Sequence, residues 1–161
     1  MTPLAIASDH GGFALRRVLI EALTAWSVPF VDLGTNDASP CDYPDFAHAV
    51  ARGIASGRYV RGVLVCGTGV GMSIAANRHP CIRAAVASDT YSARLSRAHN
   101  DANVLCLGER VVGPGLACDI LRVFLDTEAN FVSDVVPVSG DRSGDRHARR
   151  LAKLTPPELY G

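Results

Sequence analysis

The residues in this sequence that are best suited to chemistry are Cys66 and the glycine-rich stretch that follows it, Gly67-Thr68-Gly69-Val70-Gly71. An apolar run ends on the cysteine, and the spacing predicts a strand, a tight turn and the start of a helix. The Cys66 thiol would then lie beside backbone N–H groups that have no partner within the helix. Such groups stabilise a thiolate and a nearby oxyanion, so the pattern indicates proton transfer next to a carbonyl group.

Three alternating glycines, Gly67, Gly69 and Gly71, suit a loop whose amides cradle an anion. The stretch is not a Walker A loop, because it lacks the Gly-Lys-Ser/Thr ending, and Met72 stands where the third glycine of a dinucleotide fingerprint would fall. A nucleotide-binding module is therefore disfavoured. A turn that needs glycine only for positive φ is the simpler alternative. We favour the anion-binding loop because a simple turn rarely requires three alternating glycines.

Two further pairs of polar residues stand at the ends of expected elements. Asp9 can orient or deprotonate a hydroxyl group, and His10 can contact a phosphate or a ring oxygen. A helix cap at Asp9 with a surface histidine explains that pair equally well. His99 and Asn100 close an expected helix, where the helix dipole alone favours a histidine.

Three arginines, Arg110, Arg146 and Arg150, are candidates for a phosphate-binding set, because guanidinium groups match phosphate oxygens. Arg146 and Arg150 are four residues apart and share one face of a helix. The ordinary alternative for a basic helix is a solvent-exposed face, and that is our interpretation of Arg149.

Five apolar runs alternate with amphipathic stretches, which predicts a single domain over 1–161 with a three-layer α/β/α Rossmann-like fold and a five-stranded parallel sheet. The expected strands are Leu4–Ala7, Pro29–Leu33, Gly62–Cys66, Ile82–Ala87 and Asn103–Leu107, and the expected helices cover 12–26, 44–56, 70–77, 90–98 and 114–125. Such sheets bind ligands at the carboxyl ends of their strands. Beyond these elements we expect a loop excursion at 126–144, a basic helix at 145–153 and a loose tail at 155–161.

The composition narrows the possible partners. Sixteen basic residues balance sixteen acidic ones, so no global charge favours nucleic acid or an anionic membrane. No apolar run approaches the roughly 18 residues that span a bilayer, and we expect a cytoplasmic protein.

The five cysteines lack the spacing of a zinc site, so no metal is expected. Cys106 and Cys118 are assigned to packing, and Cys41 and Cys81 carry no motif.

With these residues in view, the chain closely resembles the type B ribose-5-phosphate isomerases, the group that includes the galactose-6-phosphate isomerase subunits. The resemblance covers about residues 4–125 and resumes near 145. Its motifs here are Ser-Asp-His-Gly-Gly-Phe at 8–13, Asp42-Tyr43-Pro44, the run from Cys66 to Asn77, Ser96-Arg97 with His99-Asn100-Asp101 and Asn103-Val104-Leu105, Gly108-Glu109-Arg110-Val111-Val112-Gly113, and Arg146-His147 with Arg150.

The resemblance implies an aldose–ketose isomerase of the pentose phosphate pathway without metal or cofactor. Cys66 matches the family's general base, Thr68 the residue that moves a proton between substrate oxygens, and the amides from Gly67 to Gly71 the anion hole. Asp9 and His99 match groups linked to ring opening. The residues matched to substrate or phosphate contacts are His10, Tyr43, Val70, Asn100, Arg110, Arg146 and Arg150.

The resemblance also implies a homodimer, in some members paired into a tetramer, whose active site takes residues from both subunits. The substrate expected first is ribose 5-phosphate, in exchange with ribulose 5-phosphate. A tetrose or hexose phosphate is the alternative, because the family includes such members and 126–144 is longer than the family's usual link. A sugar-phosphate-binding protein without activity is less favoured, since binding alone needs no base at Cys66.

Overall fold

The computed structural model of the protein describes residues 2–129 and 143–154, and contains a five-stranded sheet with helices on both faces. The strands are β1 (Leu4–Ser8), β2 (Phe30–Asp32), β3 (Gly62–Cys66), β4 (Ala84–Val86) and β5 (Val104–Gly108). The helices are α1 (Phe13–Ala25), α2 (Tyr43–Ala55), α3 (Val70–Ala76), α4 (Thr90–Asn100), α5 (Pro114–Asp126) and α6 (Ser143–Leu151), and a short 3₁₀ turn, His10–Gly12, precedes α1. The strands and helices expected from the sequence are all present, with ends displaced by about two residues at most.

The sheet has the order β2-β1-β3-β5-β4 and every pairing is parallel. The three central strands are buried along their whole length, which explains why they appear in the sequence as continuous apolar runs. Successive residues of β1 face opposite sides, so Ile6 packs among residues of α1, α4 and α5 while Ala7 packs among residues of α2 and α3. The predicted α/β fold with a parallel sheet is confirmed.

The chain leaves β1 and β3 in opposite directions. From β1 it passes through α1 to β2 at one edge of the sheet, and from β3 it passes through α3 toward β4 at the other edge. Helices α1 and α3 lie on opposite faces. A crevice therefore opens between the carboxyl ends of β1 and β3, the usual ligand site of such sheets, and Asp9 and Cys66 stand there.

The end of α4 lies away from this crevice, at the end of the sheet where β5 begins. Asp101 has a left-handed backbone, φ 44°, that stops the helix, and its carboxylate pairs with Arg83 and Arg97 at 2.6 Å each. Arg97 also donates to the carbonyl of Ala102, just before β5 begins. These contacts hold His99 beside the amino end of β5.

The last described segment is α6, which packs against α4. It overlaps the basic helix expected at 145–153 but begins and ends two residues earlier, at Ser143 and Leu151. The centre of the expected excursion, 130–142, and the expected tail at 155–161 lie outside the described residues. Within the described ranges, no helix combines the length and apolar character required to traverse a membrane.

Candidate active site

Cys66 is the last residue of β3 and is 6% exposed. Its Sγ accepts a hydrogen bond from the backbone N–H of Gly69 at 3.1 Å. The turn therefore curls back over the sulfur, with an amide directed at it. An N–H donor stabilises negative charge on its acceptor, so this geometry suits a cysteine that acts as a base.

Two glycines of the loop are required by the surrounding structure. Gly69 has φ 80°, and a Cβ there would lie 3.1 Å from the carbonyl carbon of Leu107. A Cβ on Gly71 would lie 2.8 Å from Cζ of Tyr43. The loop is thus pressed against β5 on one side and against the start of α2 on the other, which a turn needing only positive φ would not explain.

Thr68 is exposed at the mouth of this loop, and its Oγ1 accepts a long hydrogen bond of 3.4 Å from the N–H of Val70. The amides that follow belong to the first turn of α3, and N–H groups of a first helical turn lack the usual acceptor within the helix, which suits them to an anion. Thr68 and these amides thus follow the Cys66 sulfur directly along the loop, with the Gly69 N–H directed at that sulfur.

Asp9 is 7% exposed, and its Oδ1 has no hydrogen-bond partner among the described residues. Burial raises the pKa of this carboxyl group, opposed by the charge of His10, the amides of Gly11 and Gly12, and the charge of Arg110. Although these two amides lie near the carboxyl group, its Oδ1 is left without a partner in the described part of the chain, so a helix cap alone does not explain it. A buried carboxyl oxygen without a partner is costly and fits a group that receives a ligand hydroxyl.

His10 is exposed, and its orientation is set by Cys41. The backbone N–H of Cys41 donates to Nδ1 of His10 at 3.2 Å. When the ring is neutral, this bond places its proton on Nε2, where it can be donated to a substrate oxygen. Sequence analysis assigns no role to Cys41, and no motif could have indicated one, because its backbone makes the contact across 31 residues of sequence.

The turn after β5 is joined to the Cys66 loop by backbone hydrogen bonds. The N–H of Glu109 donates to the carbonyl of Cys66 at 2.9 Å, and the N–H of Arg110 donates to that of Gly67 at 3.1 Å. The Arg110 guanidinium group lies over Gly67, where a Cβ would be 3.4 Å from one of its nitrogens. We call the residues gathered here the carboxyl-edge cluster: Asp9, His10, Tyr43, Cys66, Gly67, Thr68, Gly69, Val70, Gly71 and Arg110.

The remaining predicted residues form a second group, the amino-edge cluster: His99, Asn100, Arg146 and Arg150. The ring of His147, 6% exposed, stacks on His99 with centroids 4.2 Å apart and an angle of 12° between the planes. Nε of Arg146 donates to Nε2 of His147 at 3.3 Å. Burial, and then the charges of His99, Arg146 and Arg150, lower the pKa of His147.

Within one chain the two clusters lie apart. His99 precedes the amino end of β5 and Arg110 follows its carboxyl end, and a strand of five residues is roughly 15 Å long. The structure therefore brings most of the predicted site residues together but not His99, Asn100, Arg146 and Arg150. Sequence analysis assigns no role to His147. The only signal for it in the sequence is its position between Arg146 and Arg150.

The carboxyl-edge cluster combines one thiol, one carboxyl group and one imidazole with two hydroxyl groups, one guanidinium group and a set of backbone amides. This set can remove a proton from carbon and stabilise the adjoining oxyanion. Among the described residues there is no group of three or more His, Cys, Asp or Glu arranged to hold a metal ion.

Cys106 is fully buried in β5, where burial and, secondarily, Cys66 raise the pKa of its thiol, which confirms its assignment to packing.

Comparison with known proteins gives a consistent result. The family model described as Ribose/Galactose Isomerase matches residues 4–154. The chain is 41% identical over 155 residues to ribose-5-phosphate isomerase B of Escherichia coli (strain K12), covering 96% of this chain and 95% of that one. A Bacillus subtilis (strain 168) relative, named only as a sugar phosphate isomerase, is 44% identical over 153 residues, covering 94% of each chain.

The chain is also similar in fold to solved structures of ribose-5-phosphate isomerase B. Ribose-5-phosphate isomerase B of Clostridium thermocellum matches with a TM-score of 0.86 at 44% identity and covers 98% of each chain. The corresponding protein of Thermotoga maritima matches with a TM-score of 0.84 at 41% identity, covering 94% of this chain and 96% of that one.

Proposed function

The chain belongs to the ribose/galactose isomerase family, and on that basis we propose that it interconverts D-ribose 5-phosphate and D-ribulose 5-phosphate through an enediolate, with Cys66 as the general base. Because these relatives are ribose-5-phosphate isomerases, the chain is an aldose–ketose isomerase. The observation that carries the assignment of the base is the Cys66 sulfur at the end of β3, held at 3.1 Å by the N–H of Gly69 beside the amides of α3.

Ring opening comes first, because the aldose is closed and its carbonyl carbon is masked. The proton of the anomeric hydroxyl passes to the Asp9 carboxylate, whose Oδ1 has no partner among the described residues. The ring oxygen takes a proton from an imidazole, for which His99 is the candidate. The raised pKa of Asp9 suits a group that accepts and returns a proton.

Proton transfer follows on the open chain. The Cys66 thiolate removes the C2 proton, and the electron pair moves to make the C1–C2 double bond and an oxyanion at O1. The amides of the Gly67–Gly71 loop stabilise that oxyanion, and an amide of this kind contributes about 3 kcal/mol toward the transition state. Thr68 moves a proton from O2 to O1, and the Cys66 thiol returns its proton to C1, which leaves the ketose and regenerates the thiolate.

The phosphate needs positive charge at the far end of the sugar. Arg110 lies at the carboxyl-edge cluster, whereas Arg146 and Arg150 are exposed on α6 at the other edge. One guanidinium group can donate two parallel hydrogen bonds to the oxygens of a phosphate. We therefore assign these three arginines to the phosphate, with Nε2–H of His10 as a further donor.

A second copy of the chain completes the site in this proposal. One chain has its carboxyl-edge and amino-edge clusters roughly 15 Å apart, yet ring opening needs Asp9 and His99 around one sugar. A two-fold dimer can bring the amino-edge cluster of one subunit to the carboxyl-edge cluster of the other. Exposed apolar residues on α3, Val70 at 50% and Ile74 at 56%, lie beside the Cys66 loop and suit burial by that second copy.

The substrate is tested by turnover of ribose 5-phosphate beside galactose 6-phosphate, allose 6-phosphate and erythrose 4-phosphate, in the presence of EDTA. We expect the highest kcat/KM for the pentose and no effect of the chelator. Preference for galactose 6-phosphate, whose sugar the family description names beside ribose, would keep the chemistry and change the substrate. Turnover of none of the four would contradict the proposal and favour a binding protein without activity.

A further inference from the structure

Glu109 makes a contact that the chemistry described above does not use. Its Oε2 accepts a hydrogen bond from the backbone N–H of Leu15 at 2.8 Å, across 94 residues of sequence. Leu15 is the third residue of α1, so this N–H is one of those that a helix leaves without an internal acceptor. The residue before the helix, Gly12, has no side chain to cap it. Glu109 therefore caps α1 from a distant part of the chain.

The same residue is fixed to the loop that carries the base. The backbone N–H of Glu109 donates to the carbonyl of Cys66, and its neighbour Arg110 donates to that of Gly67. One residue thus joins the end of β3, the turn after β5 and the start of α1.

The start of α1 sets the position of Asp9 and His10, because the 3₁₀ turn that follows Asp9 leads directly into the helix. That turn has little freedom to adjust. A Cβ on Gly12 would lie 2.5 Å from the backbone of Val65, and one on Gly11 would lie 3.3 Å from the amide nitrogen of Gly67. A displaced helix end would therefore move Asp9 relative to Cys66.

We propose that Glu109 is a positioning residue, which holds the Asp9–Gly12 turn in register with the Cys66 loop by capping α1. A carboxylate suits this place, because it accepts from an N–H at the positive end of the helix dipole. The inference rests on the proposed roles of Asp9 in ring opening and Cys66 in proton transfer. Its consequence is that loss of the cap impairs ring opening more than proton transfer at carbon.

The test measures the two steps separately in the full-length protein. Conversion of ribose 5-phosphate needs both ring opening and proton transfer. Exchange of the C1 hydrogen of ribulose 5-phosphate with D2O needs proton transfer alone, because that ketose is already open. The variants are Glu109→Ala, which removes the acceptor, Glu109→Gln, which keeps an acceptor oxygen without the charge, and Glu21→Ala, which removes an exposed acidic residue from the same helix.

We expect Glu109→Ala to lower kcat for ribose 5-phosphate about tenfold or more, with exchange on ribulose 5-phosphate within about threefold of wild type. Glu109→Gln should restore most of the conversion, and Glu21→Ala should leave both rates unchanged. If Glu109→Ala does not fold, Glu109→Asp replaces it, because one methylene less withdraws the acceptor from Leu15. Wild-type conversion in the variant, or an equal loss of both rates, would overturn the positioning role.

Failure of the broader proposal gives a different result in the same assays. Cys66→Ala should lose both conversion and exchange. If that variant keeps exchange, the base has been assigned wrongly, whatever Glu109 does. If Cys66→Ala is inactive while Glu109→Ala behaves as wild type, only the positioning role of Glu109 is lost.

Discussion

The backbone N–H of Gly69 donates to the Sγ of Cys66 at 3.1 Å, and Gly69 can do so because its backbone is left-handed, with φ 80°. The orientation of the sulfur thus depends on a conformation that other residues rarely adopt. A Cβ at this position would also approach Leu107 of β5. Backbone geometry in the loop is therefore coupled directly to the chemistry at the thiol.

Substitution of Gly69 by alanine should separate this effect from ordinary strain. We expect Gly69→Ala to lower kcat about 100-fold, because the amide that faces Cys66 is displaced. The matched control is Gly57→Ala, since Gly57 has φ 73° but lies just after α2, where a Cβ would have open space around it. Gly57→Ala should lose about 1–2 kcal/mol in the free energy of unfolding from the left-handed backbone, and Gly69→Ala should lose more, because its Cβ also approaches Leu107. Equal activities in the two variants would show that the amide does not contribute.

The buried carboxyl group of Asp9 should make stability depend on pH in a defined direction. Its pKa is raised from an ordinary value of 3.8, so above that pH the folded protein binds this proton more tightly than the unfolded chain does. The contribution of Asp9 to the free energy of unfolding therefore falls as the pH rises through the folded pKa. We expect Asp9→Asn to be more stable than wild type at pH 7, with the difference shrinking toward pH 4.

Activity should move in the opposite direction, because removal of a group that accepts a proton costs about 100-fold or more in kcat. Chemical unfolding at both pH values and initial rates on ribose 5-phosphate measure the two effects. A variant that is less stable than wild type at pH 7 would mean that the carboxylate has a stabilising partner.

The arginines of α6 offer a matched pair for phosphate binding. Arg150 is assigned to the phosphate and Arg149 to a solvent-exposed face, and both side chains are exposed in the single chain. We expect Arg150→Ala to raise KM about tenfold with kcat changed little, because the lost contact is the same in the ground and transition states. Arg149→Ala should leave KM unchanged. Similar KM values for the two variants would remove the phosphate assignment of Arg150.

Mixing two inactive variants tests whether the site is shared between subunits. Cys66→Ala disables the carboxyl-edge cluster and His99→Ala the amino-edge cluster. If each site takes one cluster from each subunit, a mixed dimer has one intact site and one site with both defects. Random mixing by co-refolding should then restore about one quarter of the wild-type activity. Mixed dimers that form, as seen by native mass spectrometry, but stay inactive would place each site within one chain.

The parts of the fold that depend on local pattern were predictable from the sequence. The continuous apolar runs of the central strands gave their positions closely, because strands buried on both faces admit few polar residues. Asp9 and Cys66 could be predicted at the carboxyl ends of their strands, because Asp9 directly follows one apolar run and Cys66 ends another, and parallel strands end at the same edge.

The parts that depend on contacts between distant segments were not predictable. The bond between Cys41 and His10 uses a backbone N–H, which leaves no signature in the residue type. The stack of His147 on His99 depends on where α6 docks on α4, which periodicity cannot supply. In each case tertiary packing decides the contact.

Removal of the Cys66 thiol tests the central claim most directly. Cys66→Ala is compared with Cys81→Ala, because Cys81 is exposed and carries no role in the site. The measurement is exchange of the C1 hydrogen of ribulose 5-phosphate with D2O, followed by NMR, together with conversion of ribose 5-phosphate. We expect Cys66→Ala to lose both activities by more than about 1,000-fold and Cys81→Ala to keep both. Exchange at a near wild-type rate in Cys66→Ala would contradict the assignment of Cys66 as the base.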